Sequence, residues 1–342
     1  MAAVATRSLE LQETLHATLD AVIPGNSRVA LLDYPNHENV GDLAIWLGEL
    51  TYLARRGVSI AYRSDLLTFV PSHLTSLGAD DPILLHGGGN VGDLWATHQR
   101  FREAVLARFP SRRIIQLPQT IHFRSASALE QAKRSFSSHL RFTLLVRDRD
   151  SLDFARTHLD CESILCPDAA FALAPLSRPS LPRTKEVIWL SRRDHEAVEQ
   201  PEPEGSLPAG VERIDWAGRE TASRRDAWLR LVLRYAAPAA IRTGLVSRRG
   251  LRALWKEWDR LAERRVDFGV AMLGRGRVVV TDRLHGHIIC AMSEIPHVLL
   301  DDRHGKISSF VSTWNSDRGG VRWAATATEA IATARELLAS AP

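Results

Sequence analysis

Apolar positions recur along this chain with two periods, one helical and one strand-like, and their alternation predicts a repeated strand–helix order. The spacing predicts a helix over 9–22, then a buried strand in Arg28-Val-Ala-Leu-Leu-Asp33 that ends in a polar loop. Leu43, Trp46, Leu47 and Leu50 share one face of a helix over 43–55. Short apolar runs at 58–62, 82–86, 113–117 and 142–146 read as strands, with helical spacing at 94–109, 128–140 and 151–158. Pro118 is expected to end the strand at 113–117, because proline cannot donate to a ladder. Short apolar strands alternating with amphipathic helices predict a parallel, doubly wound sheet.

Around Ala174–Lys185 the periodicity stops, and Pro175, Pro179 and Pro182 sit among Ser and Arg. This stretch is read as a linker, 175–186, between a first domain at 1–174 and a second at 187–342. The second series has strands at 187–190, 213–216, 277–281 and 297–300, and helices at 225–235, 251–266, 286–292 and 328–338. A Pro/Glu/Gly-rich loop covers 200–210. The expected fold class is α/β, with two open sheets facing each other across a cleft. Ligands of such sheets bind beyond the carboxyl ends of the strands, so those loops are the ones to read for chemistry.

The chain has 342 residues, 45% apolar and 25% charged, which suits two globular domains. No apolar run approaches the ~20 residues that span a bilayer. The first twenty residues carry Arg7, Glu10, Glu13 and His16 where a signal peptide would have an uncharged core. Cys161, Cys166 and Cys290 are the three cysteines, with no C-x-x-C spacing, so neither a disulfide framework nor a zinc cluster is implied. A cytoplasmic setting is expected. Four lysines, at 133, 185, 256 and 306, leave 40 of the 44 basic residues as arginine. Arginine forks suit carboxylate and phosphate, although a bias toward arginine codons is the simpler account. Charges of both signs are interspersed and no basic stripe is interleaved with aromatics, so no nucleic-acid partner is expected.

The turn Thr281-Asp282-Arg283-Leu284-His285-Gly286 follows a buried strand and opens a helix, whose free N–H groups favour an anion. Arg283 can grip a phosphate or carboxylate, and His285 can donate to the anion or move a proton. Gly286 would let a ligand approach the backbone, and Asp282 would orient one of these groups or cap the helix. His287 is assigned to packing. The bland alternative is a capped helix with an exposed arginine.

A second candidate is His86-Gly87-Gly88-Gly89-Asn90-Val91-Gly92-Asp93, a glycine-rich connection after a strand. It matches G-x-G-x-x-G but lacks the acidic residue that a dinucleotide site places at the end of the next strand. It is read as a close-approach loop for a sugar or phosphate, or as a tight strand–helix connection. In the loop Asn36–Asp42, Asn39 and Gly41 are candidate ligand contacts. Asp42 is a candidate general base or hydroxyl ligand, and equally a candidate N-cap for the helix at 43–55. His122 follows a strand end on the expected cleft rim. Arg192 and Arg193 follow the strand at 187–190 as a second anion grip. Cys166-Pro167-Asp168 is assigned a structural role. No histidine spacing implies a metal, and no cofactor is expected.

Taken together, these loops resemble the polysaccharide pyruvyl transferase family. The resembling stretches are Asn39-Val-Gly-Asp42, His86-Gly-Gly-Gly-Asn90, Leu117-Pro-Gln-Thr-Ile-His122, Val146-Arg-Asp148, Cys166-Pro-Asp168 and Thr281-Asp-Arg-Leu-His-Gly286, in order. The resemblance implies two Rossmann-like domains in a glycosyltransferase-B-like arrangement. It implies transfer of pyruvate from phosphoenolpyruvate, the donor substrate, onto two hydroxyls of a saccharide acceptor as a cyclic ketal. It assigns Arg283, Leu284 and His285 to the donor site, His122 to the first domain's share, and either Arg192 or Arg193 to the second-domain strand loop. Two other functions stay open at this point: a sugar-nucleotide-dependent glycosyltransferase on the same architecture, and a non-catalytic glycan-binding protein.

One segment raises a further expectation. Leu251, Leu254, Trp255, Trp258 and Leu261 form one apolar helix face ringed by arginines. Such a face docks on a domain core or, as the alternative, rests on an anionic membrane beside a lipid-linked acceptor.

Overall fold

The structure is a computed structural model, described over residues 2–177, 182–192, 207–216, 224–314 and 321–340. Its first part runs α1 (Ala2–Val22), β1 (Arg28–Leu32), α2 (Val40–Arg55), β2 (Ser59–Ser64), β3 (Ile83–Leu85), β4 (Gly88–Gly92), α3 (Ala96–Arg108), β5 (Ile114–His122), α4 (Ala126–Ser137), β6 (Phe142–Val146), α5 (Arg149–His158) and β7 (Glu162–Leu165). The second runs β8 (Lys185–Leu190), β9 (Val211–Ile214), α6 (Arg224–Leu231), α7 (Ala237–Arg242), α8 (Arg248–Gly274), β10 (Gly276–Thr281), α9 (Leu284–Met292), β11 (His297–Leu299), α10 (Lys306–Trp314), β12 (Arg322–Trp323) and α11 (Ala327–Ser340).

The first sheet has the order β2-β1-β3-β5-β6-β7, with β4 paired to β5, and the second has β12-β11-β10-β8-β9. Every pairing is parallel. The fold is therefore α/β with two parallel-sheet domains in a glycosyltransferase-B-like arrangement, as expected. The second sheet shows the period-2 logic of strands covered on both faces. Val187, Trp189, Val278, Val280, Val298 and Leu300 pack under α11, while Ile188, Leu190, Val279 and Leu299 face the main core.

Two elements near the cleft differ from the sequence expectation. β5 does not stop at Pro118 but continues to His122, with its pairing to β6 shifted between Gln116 and Gln119. The missing proline N–H falls inside that irregularity. Buried glutamines replace the lost ladder bonds: Gln116 Nε2 donates to the carbonyls of Leu85 and His86, and Gln119 Nε2 to that of His86. The far half of β5 then pairs with the glycine run, Gly88 opposite Gln119 and Gly92 opposite His122. The G-x-G-x-x-G segment is thus a strand rather than a loop at a helix start, since α3 begins only at Ala96.

α8 ties the two domains together. Trp258 stacks on Tyr34 with centroids 4.4 Å apart, and Tyr34 Oη donates to the Trp258 carbonyl at 3.2 Å. Asp259 accepts from Arg63 at 2.6 Å and from Trp46 Nε1 at 3.1 Å. Leu251, Trp255, Trp258 and Leu261 are all buried. The membrane alternative for this face is overturned, because the first domain covers it.

Candidate active site

A cavity of about 350 Å³ opens where the carboxyl ends of the two sheets face each other. Much of its second-domain wall comes from two neighbouring strands, and Trp216, Asp302 and Lys306 complete it. β10 delivers Arg283, Leu284 and His285, and β8 delivers Arg192. The two strands are in register from Val278 opposite Val187 to Thr281 opposite Leu190, so their end loops emerge side by side. Asp282 locks the loops together by accepting from the Arg192 backbone N–H at 2.9 Å. Burial raises the Asp282 carboxyl to about 6, against the pull of that N–H and of the two arginines. Arg193 lies outside the described residues.

Two details of this turn differ from expectation. α9 starts at Leu284 with Arg283 at its N-cap and no capping side chain, so Asp282 orients Arg192 instead of capping. Gly286 does not line the cavity. A Cβ there would strike Thr281 Oγ1 and Leu190, so the glycine serves close packing of α9 on its own sheet and not ligand approach. His287 packs, as expected, with Nδ1 2.8 Å from His297 Nε2 and burial holding it well below its usual pKa. Arg283 is buried and its Nη2 donates to Asp215 at 2.6 Å.

The first-domain wall is assembled from many loops. Asn39 caps α2, accepting from the Gly41 N–H at 3.1 Å and donating to Asp42 Oδ2 at 2.8 Å. Asp42 is therefore in the first helical turn rather than at the N-cap. It lines the cavity as a carboxylate held below its usual range: burial pushes it up, but His37, His285, His86 and Arg147 outweigh that. A weakly basic carboxylate of this kind is a poor proton acceptor. Gly41 is where the two domains touch at the site, since a Cβ there would collide with the His285 ring. Of the glycine segment, His86, Gly87, Gly89 and Asn90 line the cavity and Gly88 does not. His86 Nδ1 lies 2.9 Å from Glu49 Oε2, and both groups are buried. Burial lowers the His86 imidazole, but the Glu49 carboxylate beside it wins and holds its pKa up. Asn90 Oδ1 accepts from Arg102 at 2.7 Å and Gln119 at 3.0 Å, which fixes its rotamer.

His122 is not among the cavity-lining residues. It sits against His304 of the second domain with centroids 4.5 Å apart, at the cleft but beside the cavity.

Several residues reach the site that the sequence reading missed or assigned elsewhere. Asp168, given a structural role, does cap the turn after β7 through the Ala170 N–H at 2.9 Å. It also accepts from Arg147 at 2.6 Å and lies 3.4 Å from His285 Nε2. Burial pushes this carboxyl up, yet His285 and Arg147 hold it far below the usual range. A fully ionised carboxylate therefore stands behind His285. Asp33 follows β1 with φ +73, a left-handed conformation that few residues other than Gly, Asn and Asp adopt readily, and both its oxygens lie 2.9 Å from His98 Nδ1. Lys306, at the start of α10, completes the cationic side. The strand-end rule points to Asp33 and Arg147 as positions, while Asp168 follows β7, which has too little apolar signal to be read as a strand. Nothing local in the sequence points to His98, which sits inside a helix. Among the described residues, no group of three or more His, Cys, Asp or Glu is arranged to hold a metal ion.

Comparisons with known proteins fit this geometry. A family model described as polysaccharide pyruvyl transferase matches residues 39–304. The protein named Pyruvyl transferase 1 in Schizosaccharomyces pombe is 32% identical over 301 residues, 85% of this chain and 70% of its own length. In three dimensions the chain is similar to a functionally uncharacterized protein of Klebsiella pneumoniae. That match has a TM-score of 0.58 and 15% identity, and covers 92% of this chain and 99% of the other, a likeness of fold.

Proposed function

The chain belongs to the polysaccharide pyruvyl transferase family, and from that premise we propose that it moves pyruvate from phosphoenolpyruvate onto two hydroxyls of a hexose in a cell-surface or exopolysaccharide precursor. The products are a cyclic ketal and free phosphate. One observation carries the reading: Arg192, Arg283, His285 and Lys306 converge on the second-domain side of a single cavity, facing Asp33, Asp42, Asn90 and His98 of the first domain. Phosphoenolpyruvate brings a phosphate and a carboxylate, which arginine forks and an uncapped helix start match. A sugar presents neutral hydroxyls, which Asp42, Asn90 and the Asp33–His98 pair suit as hydrogen-bond partners.

Proton balance sets the order of events. A proton delivered to the methylene carbon of the enol makes C2 oxocarbenium-like, and one hydroxyl oxygen bonds to it while losing its proton. The C2–O bond to phosphate then breaks and the second hydroxyl closes the ring. The phosphate leaves carrying the second proton. We assign the first proton delivery to His285, backed by Asp168, and the donor clamp to Arg283 and Arg192. The hydroxyl proton goes to His98, whose imidazole Asp33 orients. Donor and acceptor thus meet from opposite domains.

Incubating the protein with phosphoenolpyruvate and candidate oligosaccharides tests this. The expected result is phosphate release that requires the acceptor, with a product heavier by one pyruvyl ketal. Nucleotide release from a sugar nucleotide would sink the reading in favour of a glycosyltransferase, and glycan binding without turnover in favour of a binding protein.

A further inference from the structure

Residues 224–247, ahead of α8, are apolar on both sides. Leu233 and Ile241 are buried in the core and Leu229 packs against it, as an amphipathic helix requires. The opposite side has no such reason to be apolar. Trp228 is 66% exposed, Leu231 56% and Tyr235 68%, at the helical spacing i, i+3, i+7, and Leu245 just beyond α7 is 81% exposed. The patch continues onto the first domain, where Leu67 is exposed and its carbonyl accepts from Arg242 at 2.7 Å.

The stretch of sequence that carries this patch is one-signed in charge, between Asp226 and Glu257 at its two edges. From Ala227 to Lys256 the sequence contains no Asp or Glu, while it carries Arg230, Arg234, Arg242, Arg248, Arg249, Arg252 and Lys256. Over the whole chain the two signs are mixed, which hides this span. Among the described side chains Arg234, Arg242, Arg249, Arg252 and Lys256 are exposed.

We propose that this face seats the protein on an anionic lipid surface. Trp228, Tyr235, Leu231 and Leu245 would enter the headgroup–acyl boundary, where Trp and Tyr are favoured, and the basic ring would meet the negative headgroups. A second copy of the chain fits less well, because a two-fold contact would set this acid-free cationic span against itself. The surface differs from the Trp255–Trp258 face of α8, which the first domain covers. It does not depend on the donor chemistry.

The test is co-sedimentation of the full chain with phosphatidylcholine vesicles, with and without phosphatidylglycerol. Binding is expected only to the anionic vesicles and should weaken with added salt. Trp228→Ser with Tyr235→Ser, and separately Arg234→Gln with Arg249→Gln, should each reduce partitioning by on the order of tenfold or more. These side chains are exposed, so an unchanged thermal midpoint is expected for both variants. Wild-type protein that stays in the supernatant with both vesicle types overturns the proposal, as do variants that sediment like wild type. Concentration-dependent dimerisation lost in Trp228→Ser, without vesicle binding, overturns it in favour of a protein interface.

Discussion

On the second-domain wall of the cavity, Arg283, Leu284 and His285 are consecutive residues, joined to Arg192 by one hydrogen bond from Asp282. On the first-domain wall, Asp33, Asp42, His86, His98 and Arg147 come from five separated places, and most are already paired: Asp33 with His98, Glu49 with His86, and Arg147 with Asp168 behind it. The contrast separates two ways of making a site. A single turn at a helix start brings Arg283 and His285 to the cavity together, and each leans on one carboxylate from another loop, Asp215 and Asp168. A wall built from many loops has to balance its own charges before any ligand arrives, since an unpaired buried charge is costly. Substitutions on either wall that remove the partner of a buried charge should therefore appear in folding, and those in the turn in turnover as well.

The largest expected effect tests the turn. His285→Ala should lower kcat by ~10²–10⁴-fold at saturating donor, with a smaller loss of thermal midpoint than Asp168→Asn, because Asp168 keeps Arg147. Near-normal turnover would place the proton transfer elsewhere. Asp168→Asn probes the paired wall, because it leaves Arg147 and His285 without their buried counter-charge. A stability loss of about 3–5 kcal/mol is expected in denaturant titration, and an unchanged midpoint would mean that this wall is not built on charge balance.

His98→Ala against His122→Ala sharpens the comparison within the first domain. The His98 change should cost about 10²-fold in kcat, at the low end for a proton-transfer group, while the His122 change leaves kcat close to wild type. The reverse ranking would restore His122 to the reaction.

The smallest effect concerns pH. Asp282 is raised from an ordinary value of 3.8 to about 6 by burial. A carboxyl raised on folding binds more protons folded than unfolded between those values, so its contribution to stability falls as pH climbs from about 4 to about 6. Asp282→Asn should remove that slope from the thermal midpoints measured across the window. An unaltered slope would show that another group carries it.

Much of this was legible before the fold was known. The strand at 142–146 has the bounds read from its apolar run, and the turn at 281–286 follows its strand as expected. Other elements escaped for physical reasons. β7 is only half-buried, so its four residues carry little apolar signal, and the β4 run has glycine, a residue depleted in strands, at three of its five positions. β5 crosses Pro118 because buried glutamine side chains make the bonds the proline cannot.

The sequence by itself determined the two parallel sheets, the strand-end loops and the turn at 281–286, because periodicity and a helix start are properties of neighbouring residues. Only the tertiary structure decided that Asp168 stands behind His285, that Gly41 is where α2 meets the His285 ring, and that His98 reaches Asp33. It also decided that Trp258 lies under the first domain while Trp228 faces outward. Those outcomes depend on which surfaces two domains bring together, and residues far apart in the chain leave no local pattern from which such a meeting can be read.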